Sequence, residues 1–193
     1  TVSGEGTYQH GDDVTVVATN NEGYAFVNWT EDGEIVSEDA TYTFEAYSNR
    51  NLVAEFSIES YNIVAAANPS IGGSVSGSGN YQYGTEITLS ATANEGYLFQ
   101  NWTESGQEIS DDEDYTFEVT CSRVLIANFV LKTYEIEVAA NPENGGTVSG
   151  DGTYQHCDVV TVSAVANEGY SFQNLKENGE IISEDADYTF VAT

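Results

Sequence analysis

Histidine, cysteine and carboxylate are the residues through which this chain could do chemistry, and their placement limits what that chemistry is. His10 and His156 fall at equivalent points of a repeated frame in which the middle copy carries Tyr83. A phenol is no base near neutral pH, a zinc centre needs about four nitrogen or sulfur ligands, and a catalytic triad needs a base facing a positioned nucleophile. There is no third histidine. The two are therefore expected to be surface turn residues, and no catalytic or metal-binding set is predicted.

Carboxylates are plentiful, 32 Asp and Glu against four Lys and Arg, but a hydrolase pair must sit in a cleft at a set separation. Here the acidic groups fall in turns: Ser37-Glu38-Asp39, Asp111-Asp112-Glu113-Asp114 and Ser183-Glu184-Asp185. Their hard oxygens suit calcium, yet none follows the D-x-[DN]-x-[DN]-G order of a calcium loop. They are expected to be solvated loops that collect calcium loosely, with no bound cofactor. Recurrent aromatics could stack on sugars, but on the inward face of a strand an aromatic is more often core. Tyr24, Phe26, Trp29, Tyr97, Phe99, Trp102, Tyr170 and Phe172 are accordingly assigned to the structural core. The glycine-rich stretches at Gly72-Gly73 and Gly145-Gly146 lack the lysine of a phosphate loop, and no helical pattern follows them.

The elements that position these residues recur. Glu22-Gly23-Tyr24-Ala25-Phe26-Val27-Asn28-Trp29-Thr30 returns as Glu95-Gly96-Tyr97-Leu98-Phe99-Gln100-Asn101-Trp102-Thr103, and in altered form at 168–176, with Leu175 in the place of Trp. Trp29, Trp102 and Leu175 are spaced by 73 residues without insertion or deletion. This is a tandem array. In register its units are 1–60, which lacks its first strands, 61–133, which is complete, and 134–193, which lacks its last strand. Beginning and ending inside repeats, the chain reads as a piece of a longer protein.

Within a unit, Tyr61–Ala67 and Tyr134–Ala140 alternate as strands and stop at Asn68-Pro69 and Asn141-Pro142, since proline cannot donate to a ladder. A short strand follows the paired glycines. The clearest strand is next: Val14, Val16 and Ala18, with their counterparts Ile87, Leu89 and Ala91, point one way while Thr and Ser mostly point the other. In the signature stretch Tyr24 and Phe26 share a face, but Trp29 lies three positions after Phe26 and needs a bulge near Val27-Asn28 to reach the same side. Hairpin turns are expected at Glu31-Asp32-Gly33 and its counterparts, then strands at Tyr42–Ala46 and Leu52–Phe56. No stretch has sustained helical periodicity. The fold class is mostly β, an array of small antiparallel β domains of about 73 residues.

A formal net charge of −28 makes nucleic acid and anionic membrane poor partners, because binding a polyphosphate needs clustered Lys and Arg. No run approaches the eighteen or so apolar residues of a membrane span. The first unit contains no Lys, which excludes a lysine isopeptide staple in every repeat.

Gly-Tyr-x-Phe-x-x-Trp, followed by Tyr-Thr-Phe and by Asn51-Leu-Val-Ala-Glu-Phe56 or Val124-Leu-Ile-Ala-Asn-Phe129, resembles the divergent internalin B-repeat family of bacterial surface and secreted proteins. The likeness spans essentially the whole chain. It implies a small β-grasp-like fold, an extracellular setting at the cell surface or in secretion, and a place in a stalk or an adhesive region. Leu175 departs from the motif. The expected role is a non-catalytic spacer or stalk joined to other modules of the same long chain. The alternative is an adhesive module that takes host or matrix glycan or protein on exposed loops.

Two features concern the joints and ends of the array. Cys121 and Cys157 stand where other units have Ser48 and Gly11 or Gly84. Two readings stay open: a disulfide across the second junction, closing a loop of about 36 residues and worth roughly 3–4 kcal/mol on the chain-entropy model, or two unrelated thiols. The linkers between units are short, which predicts an extended rod. The incomplete outer units should expose strand edges that stay open or take strands from neighbouring molecules, a route to end-to-end self-association.

Overall fold

A computed structural model describes residues 1–193, and most runs of alternating apolar and polar residues in it are strands. Repeat 1 contains β1 (Val2–Ser3), β2 (Asp13–Ala18), β3 (Tyr24–Glu31), β4 (Glu34–Ser37), β5 (Thr41–Glu45) and β6 (Leu52–Ile58). Repeat 2 contains β7 (Ser60–Asn68), β8 (Gly73–Ser76), β9 (Gly79–Gln82), β10 (Glu86–Ala93), β11 (Tyr97–Glu104), β12 (Gln107–Ser110), β13 (Asp114–Glu118) and β14 (Arg123–Leu131). Repeat 3 contains β15 (Thr133–Ile136), β16 (Gly146–Ser149), β17 (Gly152–Gln155), β18 (Val159–Ala166), β19 (Leu175–Glu177), β20 (Glu180–Ser183) and β21 (Asp187–Val191). There is no α-helix; a single 3-10 turn spans Glu143–Gly145.

Repeat 2 shows the complete design. One sheet runs β13-β10-β8 and the other β12-β11-β14-β7-β9. Every ladder is antiparallel except the central pair β14 and β7, which is parallel with Arg123 opposite Ile63 and Asn128 opposite Asn68. A single buried cluster joins the sheets: Ile63 from β7, Ile87, Leu89 and Ala91 from β10, Trp102 from β11, Leu125, Ala127 and Phe129 from β14, and Val119. The period of two in β10 sends Ile87, Leu89 and Ala91 inward and Thr88 outward, where its Oγ1 meets that of Thr116 at 2.7 Å. The same threonine pair recurs as Thr15 with Thr43 and Thr161 with Thr189, each at 2.8 Å.

The bulge that Trp29 requires is present. Phe26 pairs with Phe56 and Asn28 with Glu55, so Val27 is the extra residue; in repeat 2 the shift falls between Phe99 and Asn101. It turns the next side chain inward, leaving Trp29 2% and Trp102 0% exposed. Each buried indole N–H donates to a backbone carbonyl, of Ala40 at 3.3 Å and of Glu113 at 3.2 Å. After β3 the chain reverses through Asp32 and Gly33, both at positive φ, the geometry of a two-residue hairpin.

The outer repeats are partial versions of this plan. Repeat 1 has the sheets β1-β2-β5 and β4-β3-β6, and nothing pairs with the outer edge of β6. Residues 6–9, the counterpart of β9, form no strand, whereas β9 and β17 do, and neither of those was expected from the sequence. The reason is pairing: β9 ladders on β7 and β17 on β15, and an isolated strand leaves its backbone groups to water. In repeat 3 the strand expected over Tyr134–Ala140 stops at Ile136, and residues 170–174 are not a strand. Both segments border the place that β14 fills in repeat 2.

Two of the expected core aromatics need correcting. Trp29 and Trp102 are buried, and Phe26, Phe99 and Phe172 are half-buried, but Tyr24 is 43% and Tyr170 45% exposed. Tyr97 is half-buried: its ring lies against the Gly72 loop, within 3.2 Å of where a Cβ there would stand. The strand alternation that set these tyrosines inward is correct, but what covers them is a loop of the next layer. Tyr24 has no such loop over it. Tyr170 touches the Gly145 counterpart, yet β14, whose Phe129 completes that wall in repeat 2, has no counterpart in repeat 3.

Candidate functional site

The features that recur at the 73-residue period and touch more than one unit are the two junctions. Glu59 links the first pair of repeats: its N–H donates to the Gly23 carbonyl at 2.8 Å, and its carbonyl accepts from the Tyr83 N–H at 2.9 Å. Lys132 does the same between Gly96 and His156, at 2.8 and 2.9 Å. In each joint one linker residue ties the Asn-Glu-Gly turn of one repeat to the turn after the first strands of the next.

Side chains complete the joint. The Tyr83 ring lies over Gly23 so closely that a Cβ there would collide with it, and His156 covers Gly96 in the same way. Both glycines also have positive φ, +75° and +78°, so glycine is required twice over, by backbone conformation and by space. The Tyr134 hydroxyl and His156 Nδ1 are 3.2 Å apart, and the Tyr61 hydroxyl donates to Glu59 at 2.6 Å. That bond pushes the Tyr61 phenol up. At Tyr83, burial first and then the carboxylates of Glu22 and Glu118 push the phenol up.

The surface-turn expectation for the histidines thus holds for one of them. His10 is exposed and stacks on Tyr47 with ring centroids 5.3 Å apart. His156 is a joint residue, and so is Tyr83. The signal in the sequence is a ring at 83 and 156 recurring one period apart, as Gly does at 23 and 96, but that the ring of one unit meets the Gly of its neighbour shows only when the units are placed side by side.

A second recurring device is an arginine clamp. Arg50 and Arg123 are two of the four cations, and each makes a bidentate bond to a carboxylate 19 residues upstream, Arg50 to Glu31 at 2.6 Å and Arg123 to Glu104 at 2.7 Å. Each guanidinium also sits 4.4 Å from a ring centroid, Phe44 or Phe117. The arginine holds the Glu104 and Glu31 carboxyls below the ordinary carboxylate value. This clamp ties β3 to β6 and β11 to β14 at their ends and uses the positive charges internally.

The acidic turns are shaped by serine. Ser37 Oγ accepts from the Asp39 N–H and Ser183 Oγ from the Asp185 N–H, at 3.1 and 3.0 Å, and Ser110 does the same for Asp112. No three His, Cys, Asp or Glu side chains converge on one point. Cys121 and Cys157 are exposed and unbridged in this structure. Cys157 takes φ +71°, the conformation that its counterparts Gly11 and Gly84 adopt at +87° and +77°, so here the backbone is set by the turn and cysteine is tolerated in it.

Each outer repeat has a groove. The larger, about 650 Å³, is in repeat 1 and is floored by Val14, Val16, Trp29 and Leu52. The smaller, about 170 Å³, lies in repeat 3 between residues 139–148 and Tyr170–Leu175.

No helix is long and apolar enough to cross a membrane. No curated protein matches the chain. A family model, described as divergent InlB B-repeat domain, matches it three times, over residues 1–60, 63–133 and 136–192. The family is one of repeat domains rather than of known enzymes, and these matches take in nearly every residue: the chain belongs to the divergent InlB B-repeat domain family.

Proposed function

We propose that this chain is a non-catalytic spacer, a run of jointed repeats that holds other modules of a bacterial surface or secreted protein at a distance. The observation that carries the reading is the repetition of the joint. The same glycine meets the same ring position through the same pair of backbone hydrogen bonds at both junctions. A joint with two bonds and an interlocked ring resists bending, and two such joints in series suit a stiff spacer better than a flexible tether. The charge of −28 adds repulsion between neighbouring chains and discourages collapse.

Small-angle scattering on the 193-residue chain tests it. A maximum dimension several times the cross-section is expected; a compact globule would overturn the spacer reading. The competing adhesive role is tested by screening the array against glycans and matrix proteins, with and without calcium. Saturable binding abolished by a single loop substitution would replace the spacer reading with that one.

A further inference from the structure

The outer face of the central sheet in repeat 2 differs from the same positions of the other units. Alternation along β7, β11 and β14 sends Ile63, Trp102, Leu125 and Phe129 into the core and leaves Val64, Leu98, Val124 and Val130 outward, each between 37% and 59% exposed. The ladders set them side by side, Val64 opposite Val124 and Leu98 opposite Val130. Ile126 lies between the two pairs on β14, opposite Ala66 and Thr103.

The fold does not need these apolar residues. One period earlier, Leu98, Val124 and Val130 become Ala25, Asn51 and Ser57, and one period later Val64 becomes Glu137. β3 and β6 nevertheless keep the register of β11 and β14, with Ala25 opposite Ser57. Exposed Val and Leu that the ladder can do without point to a contact outside it.

The polar groups of the face are also suited to burial. Asn68 Nδ2 donates to Asn128 Oδ1 at 3.1 Å, Asn128 Nδ2 to Asn101 Oδ1 at 2.9 Å, and Asn101 Nδ2 to Glu108 Oε2 at 2.6 Å, a row of amides across the sheet. Groups bonded to one another lose little when water leaves. Repeat 1 has Glu55 in place of Asn128, and there Asn28 Oδ1 is left unpaired. Although the chain carries a net charge of −28, no Asp or Glu points outward from β7, β11 or β14; Glu108 stands on β12, at the rim.

We propose that repeat 2 pairs through this face with the same face of a second copy of the chain, two sheets packed together about a two-fold axis. The face offers no aromatic ring to a sugar and no central carboxylate to a cationic partner. A flat aliphatic face fits another, and two acidic chains can meet where neither brings a charge to the centre. Three strands about 4.8 Å apart and nearly 30 Å long, flanked by two shorter ones, give a footprint of roughly 500 Å² per partner. The total of about 1,000 Å² is in the range of weak, reversible association. Such pairing would set two arrays side by side; it goes beyond the spacer reading and does not depend on it.

Sedimentation velocity on the full 193-residue chain tests it. Dimer should appear as concentration rises. The association constant should increase at least about tenfold between about 0.01 M and about 1 M NaCl, as the screening length falls from about 30 Å to about 3 Å. The double variant Val124→Asn, Val130→Ser takes the residues of repeat 1 and should associate at least about tenfold more weakly, with thermal melting to confirm that it is folded. If it melts early, Leu98→Ala, again the residue of repeat 1, gives the same reading. Val53→Thr, on the matching face of repeat 1, should associate like the parent. A monomer at every concentration and salt, association that weakens with salt, face variants that pair as well as the parent, or an equal loss in Val53→Thr would each overturn the proposal. Elongation, which the spacer reading requires, is read by scattering on the non-pairing variant, so the two ideas fail separately.

Discussion

Repeats 1 and 2 carry nearly the same motifs and bury very different amounts of them. In repeat 2 nine buried residues form one cluster between a three-stranded and a five-stranded sheet; in repeat 1 the cluster has four, Val14, Val16, Ala18 and Trp29. The difference is one strand. β7 supplies Ile63, covers β14 and gives β9 a partner, so a single element accounts for the second sheet's growth from three strands to five. Burial in so small a unit is cooperative across the sheets, because a domain of this size has little apolar surface to spare. What a strand contributes is therefore more than its own side chains.

The comparison can be broken or sharpened in stages. Trp102→Ala should have the largest effect, about 3–5 kcal/mol by loss of a fully buried indole, enough to unfold repeat 2. Chemical denaturation followed by tyrosine fluorescence would measure it. Trp29→Ala in the 193-residue chain should cost less, because Trp29 belongs to a buried cluster of four residues and Trp102 to one of nine; equal losses would contradict that difference.

Next come the joints. Gly96→Ala and Gly169→Ala both put a Cβ on a residue with positive φ, +78° and +83°, but only Gly96 faces a ring, that of His156. Gly169→Ala should cost about 1 kcal/mol of backbone strain, and Gly96→Ala roughly twice that with faster amide exchange at Lys132 and His156. Identical behaviour of the two variants would mean that the ring contact does not lock the joint.

The arginine clamp makes an acid-dependent prediction. A carboxyl whose folded pKa is depressed adds stability above its unfolded value and loses it as pH falls through the folded value. Glu104 is held low chiefly by its hydrogen bond to Arg123. At this exposure the pair contributes on the order of 1 kcal/mol. Glu104→Gln should lower the melting temperature at pH 7, and the gap from the parent chain should begin to close near pH 4.5, the ordinary carboxyl value, and vanish only once the pH has fallen below the depressed folded value. A gap constant down to strongly acid pH would show that the clamp acts through packing on Phe117 alone.

Two stabilising changes complete the series. Cys157→Gly restores the residue its turn has in the other repeats and should gain about 1 kcal/mol by thermal melting, the strain of a left-handed non-glycine residue. In repeat 2 Asn128 Nδ2 donates to Asn101 Oδ1 at 2.9 Å, whereas Asn28 Oδ1 of repeat 1 is buried with no partner and faces Glu55. Glu55→Asn should supply the donor and gain about 0.5–1 kcal/mol. A loss instead would mean that the Asn ladder also needs Asn68, and hence β7 again, to hold Asn128 in place.

By itself the sequence determined the period, the all-β class, the inward faces of β2, β10 and β18, the hairpin turns and the bulge before Trp29. Those follow from local rules: side chains alternate along a strand, glycine and asparagine permit positive φ, and an aromatic three positions on reaches the same face only through an extra residue. Tertiary structure decided which tyrosines are covered, that residues 79–82 and 152–155 are strands, that His156 closes a joint and that Arg50 and Arg123 are clamps. Each of these depends on what another segment, 16 to 60 residues away, places alongside. Short polar strands such as β9 have no periodic signature of their own and exist only where a neighbour offers its backbone. The chemistry of Gly23 and Gly96 is likewise written half in one repeat and half in the next, and it becomes legible only when the linker residues Glu59 and Lys132 bring the two halves within hydrogen-bonding distance.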